Sequence, residues 1–177
     1  MNTDEFWNII DSVHTLSGGD MNKKCKLLRE RLNALKPDEF TDYIARFDEA
    51  ELAAYTWPLW GAVFVWKGGC SDDAFSDFRA TLISHGRSVY EAVLVNPESL
   101  SEVLYTNEVD ACYEGFQYVH YNLAKEKLGA IPESKTCWPD EPSGEEWDEE
   151  TVDDLYPILA AKFKLSQLPS KPWWRFF

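Results

Sequence analysis

Apolar residues return at helical intervals along most of the chain, and the first stripe is Phe6, Ile9, Ile10 and Val13. Steps of three, four and seven place such side chains on one face of an α-helix. Thr3 stands ahead of them as a candidate N-cap, Asp4 and Glu5 occupy the first turn, and Gly18-Gly19 mark the stop. A second helix is predicted from near Asp20, with Met21, Cys25, Leu28, Leu32 and Leu35 buried and Lys23, Lys24, Lys26, Arg29 and Arg31 on its outer surface. Pro37 suits the first turn of a third, whose Phe40, Tyr43, Ile44 and Phe47 repeat the interval as far as Tyr55.

The stretch 57–66 is apolar nearly all round, which predicts an element covered on every side. Its Ala62-Val63-Phe64-Val65 fits strand or helix by periodicity, and the helical neighbours favour helix. After Gly68-Gly69 and Ser71, Phe75, Phe78, Leu82 and Ile83 define a helix ending at Gly86, and Val89, Tyr90, Val93 and Leu94 a shorter one ending before Pro97. The longest pattern spans 107–128, with Val109, Cys112, Tyr113, Phe116, His120 and Leu123 on one face and Gly129 at the stop; it is expected to pack against 57–66.

Pro132, Pro139, Pro142 and Gly144 then punctuate a stretch in which positions 140–154 hold nine acids and no base, the pattern of a loop or linker. A last helix is predicted on Leu155, Ile158, Leu159 and Phe163, with Pro157 in its first turn, before the closing Pro169, Pro172, Trp173, Trp174, Phe176 and Phe177. The predicted fold is all-α: a compact orthogonal bundle of about seven to eight helices around an apolar central helix. Residues 1–128 form the core domain, 129–150 an acidic Pro-containing loop, and 151–177 a C-terminal helix and aromatic tail packing on the core.

Composition adds to this picture mainly through charge. Seventeen Lys and Arg against 31 Asp and Glu give −14, a field that repels nucleic acid and anionic membrane and favours encounter with a basic partner. Eight Trp, eight Tyr and ten Phe are a large aromatic stock, enough to fill a core and leave rings for a surface. Cys25, Cys70, Cys112 and Cys137 stand far apart without ligand spacing, so packed, reduced thiols are expected. The start Met-Asn-Thr-Asp-Glu lacks the basic and apolar regions of a signal peptide and no window reaches the length of a membrane span, which makes the cytoplasm the expected compartment.

Two segments are candidates for function. In the first, Gly68, Gly69, Cys70, Ser71, Asp72 and Asp73 precede the helix carrying Arg79. As a helix junction, the glycines end one helix, Ser71 caps the next, and the aspartates meet its positive end. As a pocket, Cys70 or Ser71 would act as nucleophile, or Asp73 and Asp77 would hold a cation, but His14, His85 and His120 are the available bases and no motif places them. His120 falls on an apolar face, as a hydrogen-bonded core histidine does, and His85 stands where its cation would suit a helix end. The second segment is Trp138, Asp140, Glu141, Glu145, Glu146, Trp147, Asp148 and Glu149, which reads either as a solvated loop or as a surface where rings supply area and carboxylates select a basic partner.

Trp60-Gly61-Ala62, the string from Gly68 to Asp73, Phe75, Phe78-Arg79 and Leu82-Ile83 together carry a resemblance, supported by Phe6-Trp7 and by Asn96-Pro97-Glu98-Ser99-Leu100. Over residues 1–125 the chain resembles a bacterial family known as domain of unknown function 4240, which implies a compact helical domain and no established activity. The chain carries Ala74 where that family favours glycine and Ala80-Thr81 where it favours Gly-Trp. No catalytic, cofactor-binding or metal-ligating residue is assigned. The function expected is that of a non-enzymatic acidic binding protein, an antitoxin or immunity-type factor meeting a basic toxin or effector domain; the alternative is an enzyme or small-ligand domain with a pocket at residues 68–73.

Overall fold

Helix α1 (Thr3–Ser17) opens on a reciprocal cap, the Asn2 side chain accepting from the Glu5 N–H at 2.9 Å and the Glu5 carboxylate accepting from the Asn2 N–H at 2.7 Å. The cap is therefore one residue earlier than the Thr3 expected. The computed structural model describes residues 1–103 and 111–166. Asp20 caps α2 (Met21–Asn33), Pro37 begins α3 (Pro37–Ala53), and Thr56 caps α4 (Trp57–Lys67). Then follow α5 (Asp72–Ile83), α6 (Arg87–Val95), a 3-10 turn (Pro97–Glu102), α7 (Gly115–Leu128), α8 (Val152–Leu155) and α9 (Pro157–Ser166). The expected all-α bundle is what forms: among the described residues there is no strand, and eight helices have seven residues or more.

Phe6, Tyr43, Phe47 and Phe116 meet at the centre, the Phe6 and Tyr43 rings 5.2 Å apart and Phe47 and Phe116 6.3 Å apart. Helices α1, α2, α3, α5 and α7 contribute to this core, each through the stripe its periodicity defines. Stretch 57–66 is helical, as its neighbours suggested.

Five expectations need correction. Helix α7 starts at Gly115, residues 104–110 with Val109 lie outside the described residues, and α7 packs mainly on α2 and α5. Helix α4 takes its cover from α9, α8 and the 3-10 turn. An α-helix that is apolar on all sides needs a second layer, and the narrow stripe of Phe116, His120 and Leu123 on α7 is already used by the core.

Pro157 does not continue a helix from Leu155 but starts a new one, since it lacks the N–H that would bond backwards. This resets the helical phase. Leu155 and Ile158 are exposed, Leu159 is buried as expected, and Val152, Tyr156 and Ala160 are buried with it. Lys24 is fully buried, its ammonium donating to the Ser84 hydroxyl at 3.0 Å, because it falls three residues after Met21 and four before Leu28, on the apolar stripe itself. His85 is buried as well, and its pKa is pushed down to about 3, chiefly by that burial with the Lys24 charge adding to it, so His85 is neutral and the cation at that helix end is Lys24. The aromatic tail Trp173, Trp174, Phe176 and Phe177 lies outside the described residues.

Residues 129–147 run over the core as a strap. It is tied by its backbone at the α3–α4 junction, where the Trp57 N–H donates to the Ser143 carbonyl at 2.8 Å and the Ser143 N–H to the Tyr55 carbonyl at 3.1 Å.

Candidate functional site

At the 68–73 corner every residue has a local structural role. Gly68 ends α4 with φ +69, and a Cβ there would lie 2.2 Å from Cζ of Phe163, so α9 seats directly on the glycine. The Ser71 hydroxyl accepts from the Ala74 N–H at 3.2 Å, and Asp72 and Asp73 stand exposed in the first turn of α5. Gly69 takes φ +137 to join the two helices. Cys70 is half-buried, its carbonyl accepting from the Trp60 indole N–H at 3.0 Å. Burial pushes its thiol up to about 12, with Cys112 adding to the rise and Lys67 opposing it. Asp77 accepts from the Gln117 amide at 2.6 Å, so it is a partner of α7.

The histidines stand elsewhere. His14 and His85 lie together, ring centroids 5.5 Å apart, and His120 is fully buried 4.4 Å from the Phe47 ring. Neither nitrogen of His120 finds a hydrogen-bond partner among the described residues, which corrects the expectation of a hydrogen-bonded core histidine. Burial pushes its pKa down to about 3.

The acidic stretch divides by residue type. Asp140, Glu141, Glu145, Glu146, Asp148 and Glu149 are all exposed. Trp147 turns inward, its ring 4.8 Å from Phe64 and edge-on to Trp57 and Trp60, over a Gly61 whose missing side chain makes the room. Trp138 is 41% exposed and lies edge-on to Tyr55.

Beneath Trp138 is a charged centre. Arg79 is buried, and its guanidinium sits 4.6 Å from the Tyr55 ring centroid, 5.2 Å from Phe75 and 5.4 Å from Trp138, within cation–π range of all three. It donates from Nη1 to the Glu51 backbone carbonyl at 3.3 Å, and its Nε has no partner among the described residues. The Glu51 carboxylate is 5% exposed, and its Oε1 is likewise unpartnered. Burial pushes Glu51 up to about 7; Arg79 pulls it back, and Asp48 and Asp77 push further. Asp48, also buried, accepts from the Ser134 hydroxyl of the strap at 2.5 Å.

Sequence reasoning picked out Arg79 but missed Asp48, Glu51 and Tyr55. A signal was present: Glu51 stands four residues after Phe47 and Arg79 four after Phe75, each on the apolar stripe of its helix. A charge in that phase is a candidate for burial.

Fold and site together define a small all-α bundle that holds a buried arginine and two buried carboxylates beside its aromatic core. The chain belongs to the family described as protein of unknown function (DUF4240), which matches residues 1–127. No curated protein matches the chain, and no solved structure does. The matched segment contains Asp48, Glu51 and Arg79, whereas the strap that covers them, with α8 and α9, follows it.

Proposed function

We propose that this chain is a non-enzymatic acidic binding protein that acts by protein–protein contact, in the manner of an antitoxin or immunity factor closing on a basic toxin or effector domain in the cytoplasm. The observation that carries the reading is the division within 138–149: Trp147 anchors the loop on α4, and six carboxylates face solvent. An anchored acidic surface loses less freedom on binding than a loose one, and its field adds to the −14 of the whole chain in steering a basic partner. The alternative pocket at residues 68–73 requires a histidine or arginine converging on Cys70. The groups acting on that thiol are Trp60, Lys67, Asp72 and Cys112.

Affinity capture from native lysate at low salt, with mass spectrometry, is the test. The intact chain retains a basic protein that is released as salt rises, and a variant with Glu145, Glu146 and Asp148 changed to lysine does not. Recovery of no basic partner, or equal recovery by the charge-reversed variant, counts against the reading.

A further inference from the structure

We propose that Arg79, Tyr55, Phe75 and the Glu51 carboxylate form a binding site for a small planar heterocycle with an N–H donor beside a carbonyl acceptor on one edge, and that Trp138 of the strap holds the ring position shut. The site stands independently of the protein–protein reading.

Three features define the occupant. A flat ring already lies at the mouth: the Trp138 indole covers the Arg79 guanidinium, with Tyr55 and Phe75 as the other walls of the cage. Being 41% exposed, Trp138 marks a position reached from solvent. Behind it, among the described residues, Arg79 Nε is a buried donor without an acceptor, and on Glu51, whose backbone carbonyl Arg79 bonds, Oε1 is a buried acceptor without a donor. Buried polar groups are ordinarily satisfied, and two of opposite type on residues joined by a hydrogen bond ask for a partner that offers both functions.

Charge narrows the class. An inorganic anion would satisfy Arg79 but meet Glu51, Asp48 and Asp77, and a metal cation would meet Arg79. A neutral ring with a lactam edge gives its carbonyl to the guanidinium, its N–H to the carboxylate and its face to the cage.

Ahead of the Trp147 anchor, the strap is lightly fastened around Trp138. Ser134 on Asp48 and the backbone of Ser143 at the α3–α4 junction fasten it on either side of Trp138, and no helix or ladder forms between them. A segment held by so few bonds opens at lower free energy than the packed helices beneath it.

Guanosine, which carries a carbonyl next to a ring N–H, serves as probe, and adenosine, which lacks that pair, as control. Isothermal titration of the full chain, of Trp138→Ala and of Trp138→Ala with Glu51→Gln reads the site. Guanosine is expected to bind Trp138→Ala about tenfold or more tighter than the intact chain, with about a tenfold loss on adding Glu51→Gln and a similar loss for adenosine. If Trp138→Ala loses its helical circular dichroism, Ser134→Ala, which frees one fastening, is titrated with the same expectations. No guanosine binding to the opened variant, equal binding with and without Trp138, or binding indifferent to Glu51→Gln overturns the proposal.

Discussion

Replacing Glu51 by glutamine tests the charged centre directly. The carboxyl is 5% exposed and its pKa lies at about 7 against an ordinary 4.5, mainly because burial disfavours the ionised form. At about 1.36 kcal/mol for each pKa step, holding that ionised carboxylate in the folded protein costs about 3 kcal/mol. The folded pKa is raised, so the stabilisation from the neutral form is complete below pH 4.5 and is lost as pH rises through 7. His85 and His120 act in the opposite sense: their folded pKa values are depressed to about 3, so their contribution is present above 6.5 and lost as pH falls.

The difference between wild type and Glu51→Gln cancels those histidine contributions and isolates Glu51. Urea unfolding followed by tryptophan fluorescence at pH 5, 6.5 and 8 measures it. The variant is expected to gain on the wild type as pH rises, by about 2–3 kcal/mol between pH 5 and 8, the rest of the full loss having already occurred at pH 5, above the ordinary 4.5; the attraction of Arg79 is already contained in the folded pKa. A variant that is instead less stable at pH 8, with the gap widening as pH rises, would show that the carboxylate is ionised and holds Arg79 in place, and the reasoning fails.

Two further outcomes follow from the packing. His120→Phe keeps the ring contacts with Phe47 and Tyr43 while removing two unpartnered nitrogens, so it should stabilise by about 1 kcal/mol and shift acid unfolding to lower pH; an unchanged acid midpoint contradicts the assignment. Gly68→Ala combines a positive φ with a Cβ driven into the Phe163 ring, and should cost about 2 kcal/mol or more in thermal or urea unfolding. In a Phe163→Ala background the same change should cost only the backbone strain, about 1 kcal/mol, and an undiminished cost means that α9 does not seat on the corner.

The helices were legible in the sequence because their determinants are local. Stripes such as Phe6, Ile10 and Val13, the cap at Ser71 and the glycine stops at 18, 68 and 129 each act within a few residues, where spacing alone shows them. Even the burial of Lys24, Glu51 and Arg79 was written in helical phase, although the usual cost of burying charge argued against reading it so. Tertiary structure alone decided which faces meet: that α9 and not α7 covers α4, that Trp147 turns inward while Trp138 stays at the surface, and that Ser134 reaches Asp48 across 86 residues. Helical periodicity tells which side of an element is apolar. It carries no information about the opposite surface, because that choice depends on how all the helices fill one volume together.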